Sequence, residues 1–256
     1  MKNKNLNKTL VTAFALVFWV FVWQVVYMIV GSDIIVASPI ATFIRVFSLA
    51  KTSFFWLCTL TSISNILLGF FVAVIVATLL AALSSHFKLI DILFSPIIKL
   101  IKATPVASFI ILALFWIKNQ VPSFIAFLMV VPIVYSNLYE GFKNVDKNLL
   151  EMAKIYNFSF VKKVRLIFIP SLMPYFVSAI SVGLGFAWKS GIAAEVIGLS
   201  KNSLGLEIYN SKIYIETPDL FAYTLVIILL SVLMEKLVMF ILKMLSSKVL
   251  KGGGLK

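Results

Sequence analysis

Twenty-two consecutive residues, Thr9–Val30, carry no charge. An α-helix of about 20 apolar residues, rising about 1.5 Å each, is long enough to cross the hydrocarbon of a bilayer. Five further apolar runs follow: Ser62–Ser84, Thr104–Ile117, Val121–Asn137, Leu172–Trp188 and Leu220–Leu242. Lipid offers no partners to backbone N–H and C=O groups, so each run must satisfy its own as a helix. The expectation is an all-α, polytopic membrane protein with about six transmembrane helices. The third run is short and can be lengthened backwards through the amphipathic Asp91–Lys102. Composition agrees: 61% of residues are hydrophobic and 13% charged, against about 45–50% and about 25% in soluble domains. Lys2, Lys4 and Lys8 precede the first run as they would in a signal peptide. A signal's apolar core is only about 7–15 residues, and the small-residue site Val36-Ala37-Ser38 is followed by Pro39. The first run therefore reads as an uncleaved span.

The charge balance, 23 Lys+Arg against 10 Asp+Glu, would suggest nucleic-acid binding in a soluble chain. Here the lysines are scattered in small groups, and membrane topology explains them better. With the N-terminus inside, cytoplasmic segments collect sixteen Lys and Arg, among them Lys88, Lys99, Lys102, Lys143, Lys154, Lys162, Lys163 and Arg165. The outer side receives six: Arg45, Lys51, Lys118, Lys189, Lys201 and Lys212. Both termini inside agrees with an even number of spans in a plasma membrane. Residues 1–8 then form a cytoplasmic N-terminus, 9–242 the membrane domain and 243–256 a cytoplasmic tail, with Gly252-Gly253-Gly254 as its flexible end. Tyr27, Trp116 and Trp188 fall at outer span ends, and Tyr139 and Tyr175 at inner ends, as an aromatic belt would.

Catalytic chemistry finds few residues. Lone Cys58 excludes an intramolecular disulfide, and lone His86 excludes a two-histidine metal site. No carboxylate pair lies within a span, where proton-relay or metal chemistry would need one. Gly183-Leu-Gly-Phe-Ala-Trp-Lys189-Ser190 resembles a phosphate-binding loop only at its end, because Trp188 stands where the lysine must follow glycine. No ATP site is encoded, and nucleotide-driven work must come from another chain. Polar residues inside the spans are few. Ser178, Ser181 and Gly185 share one helical face and serve close packing or line a pore. Glu235-Lys236, near the inner end of the last span, reads as a snorkelling pair.

The informative stretch is the longest cytoplasmic connection, 140–170. Asn148, with Glu151 three residues on, reads as a capped helix start. Asn157 can end that helix in the left-handed conformation, and Ser159 can cap a second short helix running toward Pro170. As an amphipathic connector the loop would simply lie on the membrane surface. Its spacing also resembles the EAA loop of ABC importer permeases: Glu-Ala-Ala, three residues, Gly, nine residues, Ile-x-Leu-Pro. Glu151, Ala153, Ile167 and Pro170 match in register, whereas Met152, Asn157 and Ile169 depart. Val36-Ala-Ser-Pro39, Thr59-Leu-Thr-Ser62…Gly69 and Ala187-Trp-Lys…Ala194-Glu195-Val-Ile-Gly198…Leu204-Gly205 are similar to segments of the nitrate/sulfonate/taurine permeases, with Asn65 where those usually carry Arg.

That resemblance implies a type I importer permease fold and a second, commonly identical, permease copy. It implies cytoplasmic ATPase subunits that hold ATP and Mg and bind the loop, and an extracytoplasmic binding protein on the outer face. The chain itself needs no cofactor or metal. Glu151, Ala153, Asn157, Ile167 and Pro170 are then the ATPase-coupling residues. Ala153 is expected to be small because the coupling helix sits close to the ATPase. Leu149, Leu150, Ile155 and Tyr156 supply apolar contact. Gly191–Gly198 is expected to dip back toward the pore, bending at Gly191 and Gly198, with Glu195 either an exposed loop carboxylate or a gate or binding-protein contact. A rival reading is a non-transporting scaffold or sensor that docks a soluble partner through the same loop.

Overall fold

The computed structural model describes residues 2–117 and 120–252, with side chains from Leu10 to Met244. Lys118, Gly253, Gly254 and Lys256 lie outside the described residues, as do the side chains of Lys2, Lys4, Lys8, Lys248 and Lys251. The regular structure of the described residues is all helical. It runs α1 (Lys2–Val30), α2 (Pro39–Leu49), α3 (Ser53–His86), α4 (Lys88–Ala103), α5 (Val106–Trp116), α6 (Val121–Lys143), α7 (Lys147–Ile155), α8 (Phe160–Lys163), a π-helical turn at Val164–Phe168, α9 (Ile169–Gly198), α10 (Leu204–Ile213) and α11 (Thr217–Gly252).

Five of these segments are long and apolar enough to cross a membrane, and α4 with α5 makes a sixth if the bent pair is one span. The residues before the third run are helical too, but α4 and α5 are bent by 107° at the break between them, the geometry of a broken span or of a re-entrant pair. Thr104 precedes Pro105 and is held extended at ψ 131°, because the proline ring crowds the α conformation of the residue before it. Pro170 has the opposite outcome. The second helix of the loop does not stop there but continues into α9. Pro170 has no N–H for the carbonyl four residues back, and the preceding turn is π-helical, with Ile169 N–H donating to Val164 O.

The bundle is built on α3, α6 and α9. Ala73, Ala77 and Ala81 lie at four-residue spacing on α3, all fully buried, and small side chains at that spacing let helices approach closely. Val130, Val134 and Leu138 of α6 and Ala179, Leu184 and Ala187 of α9 fill the same core. Trp188 is a correction to the aromatic belt: it is 3% exposed, and its Nε1 donates to Ile227 O at 3.1 Å, fastening α9 to α11. Its span continues ten residues beyond it, to Gly198.

The bundle has two distinct ends. At one, His86, Lys143, Phe160 and Phe168 line a common cavity, so α3 and α6 both finish beside α8. At the other, Val121, Ile110, Ala113 and Ala194 share a small apolar core. There Arg45 of α2 grips Asp219 of α11 through Nε and Nη2, the latter at 2.8 Å. Helix α1 stands apart, tied by Trp23, whose Nε1 donates to Ala37 O at 3.0 Å and whose ring stacks on Phe221.

Candidate functional site: a self-packed loop, a buried carboxylate and a lysine-lined cavity

The loop after α6 folds on itself. Its first helix starts at Asp146, not Asn148: the Asp146 side chain accepts from Asn148 N–H at 2.8 Å. Glu151 therefore lies past the first turn and the Asn148–Glu151 capping box does not form; its carboxylate is exposed. Asn157 closes α7 at φ +50°, with Phe158 N–H donating to Ala153 O at 2.9 Å. Ser159 caps α8 through Lys162 N–H at 3.4 Å. Ala153 is 0% exposed and packs with Val145 and Ile167, ringed by Leu150, Phe158 and Phe168. Its small size is thus demanded inside this chain, which corrects the expectation that a partner demands it. Pro170 sits where this unit joins α9. What faces outward is apolar: Ile155, Tyr156, Phe160 and Val161 are each more than two-thirds exposed.

The stretch Gly191–Gly198 does not dip or bend. It is the last part of α9, and the chain turns only afterwards, at Leu199 with φ +48°. Gly191 is there for contact: a Cβ would stand 2.5 Å from Ile66 Cγ1. Glu195 is not an exposed loop carboxylate, since it is 0% exposed. Ser62 Oγ donates to Glu195 Oε2 at 2.8 Å, Gly205 N–H donates to the same oxygen at 3.1 Å, and Leu204 N–H donates to Ser62 Oγ at 2.9 Å. One carboxylate oxygen thus ties α9, α3 and the first turn of α10 together. Gly205 must be glycine, because a Cβ would stand 2.4 Å from Glu195 Cβ. Glu195 Oε1 has no partner. Farther along α10, burial pushes the Glu207 carboxyl above its ordinary range, against the opposing hydrogen bond from Asn210.

A cavity of about 460 Å³ lies where the α4–α5 bend meets α6 and α9, lined by Lys102, Thr104, Met129, Ile133, Lys189 and Ser190 among others. Lys102 Nζ donates to Ser136 Oγ at 2.6 Å. Sequence reasoning placed Lys102 with the inner charges and Lys189 with the outer ones; the structure brings both to one cavity. Only the bend at Thr104-Pro105 makes this possible, and the proline was the signal available. Ser178, Ser181 and Gly185 stay on one face of α9, where Ser181 Oγ donates to Glu235 Oε1 at 3.2 Å and a Cβ on Gly185 would meet nothing within 4 Å. Among the described residues, no three His, Cys, Asp or Glu gather as a metal site would require.

Long apolar helices around a small-residue core, a self-packed loop at one end and a largely apolar cavity with two lysines between the helices define a polytopic α-helical membrane protein. Residues 69–251 match the family described as binding-protein-dependent transport system inner membrane component, and the chain belongs to that family. It is 23% identical over 192 residues to the putative aliphatic sulfonates transport permease protein SsuC of Bacillus subtilis, covering 74% of this chain and 68% of that one. It is 26% identical to a probable ABC transporter permease protein of Haemophilus influenzae, covering 82% and 86%. It is also 26% identical to the bicarbonate transport system permease protein CmpB of Synechocystis, covering 61% and 56%.

Proposed function

We propose that this chain is the membrane-spanning subunit of an ATP-driven importer. It would move a small solute delivered by an extracytoplasmic binding protein, and work as a pair of identical copies. ATP and Mg are held by a separate cytoplasmic ATPase, which docks on the loop 140–170; both termini share that side. The observation that carries the reading is the outward strip Ile155, Tyr156, Phe160 and Val161, exposed on a unit whose own core is Val145, Ala153 and Ile167. Exposed apolar side chains on a rigid support are what a docking partner buries. The unit runs without a break through the π-helical turn into the 30-residue α9. A push on the loop is therefore delivered along a helix that carries both Lys189 and Glu195. Glu195 acts through the Ser62–Gly205 tie at the outer end. Ser178 and Gly185, beside the Ser181–Glu235 contact, are left for the second copy or the pore between copies. The relatives named for aliphatic sulfonates and for bicarbonate make small anions the first substrates to try.

The test is copurification. Ile155→Asp with Tyr156→Asp places two charges in the proposed interface without touching the loop's core. It should reduce ATPase capture by tenfold or more, since about 1.4 kcal/mol of lost contact already suffices. It should also abolish uptake while leaving the membrane-inserted permease intact. Undiminished ATPase capture with normal uptake would overturn the docking assignment. A scaffold or sensor would instead retain a soluble partner yet show no uptake and no ATPase activity stimulated by a binding protein.

A further inference from the structure

The two lysines of the α4–α5 cavity lie within the length of the α6 span and not beyond its ends. Ser136, the partner of Lys102, is seven residues before the end of α6 at Lys143, about 10 Å inside it at 1.5 Å per residue. On α9, Gly183 sits against Val130, 3.4 Å from where its Cβ would be to Val130 Cγ1. Ala194 packs with Val121 at the start of α6. Lys189 lies between those two levels, so it too falls within the length of α6. Charged side chains at such depth are costly, and they face a bundle interior or a water-filled path and mark where solutes pass. Both lysines escape the usual compensation. Among the described residues neither is seen paired with a carboxylate, as Arg45 is with Asp219, and no acid lines the cavity. Lys102 is instead held by a neutral hydroxyl, and Ser190 and Thr104 add hydroxyls without charge. The remaining wall is apolar, with Ile101, Val106, Met129, Ile133 and Phe186.

We infer that this cavity is an anion-binding station on the translocation path, with Lys102 and Lys189 in its wall supplying the positive charge that draws in a small organic anion. The apolar wall takes its body. The inference rests on the permease reading and adds to it the residues that select charge. Two cations without a countercharge, walled by low-dielectric side chains, concentrate anions locally by about tenfold or more. The lysines must be exposed enough to exchange, and both are.

Cysteine accessibility reads this charge without knowledge of the transported solute. In a Cys58→Ala background, Thr104→Cys places one thiol in the cavity. The purified permease is held in phosphatidylcholine nanodiscs, where no anionic lipid headgroup competes for the lysines. It is labelled with a methanethiosulfonate carrying a sulfonate and, separately, with one carrying a trimethylammonium group. The sulfonate reagent should react about tenfold faster. The preference should vanish in Lys102→Gln with Lys189→Gln and survive in Lys102→Arg with Lys189→Arg. Butanesulfonate should protect the thiol, and butyltrimethylammonium should not. Equal reactivity of the two reagents, or a preference indifferent to both lysines, would overturn the anion station. This holds even if ATPase capture and uptake are normal, because labelling needs no ATPase. Conversely, anion-selective labelling in a chain that captures no ATPase would leave the station standing and overturn the importer reading.

Discussion

Glu195 shows how much one oxygen can organise. Its Oε2 receives Ser62 Oγ–H and Gly205 N–H while its Oε1 receives nothing. Glu195→Gln keeps the shape, keeps an acceptor for both donors and removes any need to bury a charge. Glu195→Ala removes the acceptor, leaves two donors unsatisfied and opens a void, each unsatisfied buried group costing about 1–3 kcal/mol. Thermal unfolding of the purified permease should therefore place the Gln variant near the parent and the Ala variant several degrees lower. Equal loss in both would show that the carboxylate's charge, rather than its acceptor geometry, holds the three helices. The sequence displays Glu195 as the one acid of its stretch. Its burial was not legible, because Ser62 lies 133 positions away and nothing local announces that contact. That Lys102 and Lys189 line one cavity was not legible either, because it depends on the bend between α4 and α5 and on the packing of α4 beside α6 and α9.

At the scale of elements, the loop was legible where local chemistry decides and illegible where it does not. Asn157 at φ +50° and Ser159 at the next cap were readable from residue type alone. The start of α7 was displaced by two residues because Asp146 and Asn148 are both good caps, and Asp146 makes the bond. Ala153 matched a spacing, but the spacing could not say on which side its crowding lies. The left-handed turn gives a direct test. Asn157→Gly should retain the loop, since glycine adopts that conformation freely. Asn157→Val should lose about 1–2 kcal/mol of local stability, the handedness penalty for a side chain with a branched Cβ. Limited proteolysis should then cut the Val variant between α7 and α8 well before the parent or the Gly variant. An Ala153→Trp variant should be cut early too, because its fault lies in the chain's own core and not in a missing partner.

For the whole molecule the open choice is whether α4 and α5 cross the membrane or return to the side they left. The bundle's two ends support a crossing. Helix α4 begins at Lys88, two residues after His86 closes α3 at the end lined by Lys143 and Phe160. Helix α5 reaches the opposite end, where Ile110 and Ala113 pack with Val121 and Ala194 and Leu114 Cδ2 would meet a Cβ on Gly198 at 3.3 Å. The bent pair therefore runs from one end of the bundle to the other, and the topology we propose is six crossings with both termini on one side. The proposal puts that side in the cytoplasm, where the basic residues other than Lys102 and Lys189 collect fifteen to five. A re-entrant pair would reverse α6, α9 and α11, and would move the loop 140–170 and its basic residues to the outside. Single cysteines in the Cys58→Ala background separate the two topologies. Gln120→Cys, just before α6, and Lys212→Cys, in α10, should react with a membrane-impermeant maleimide added to intact cells. Lys88→Cys and Lys154→Cys should react only after the membrane is opened. If Gln120→Cys is protected in intact cells while Lys154→Cys reacts, the pair is re-entrant and the loop cannot meet a cytoplasmic ATPase.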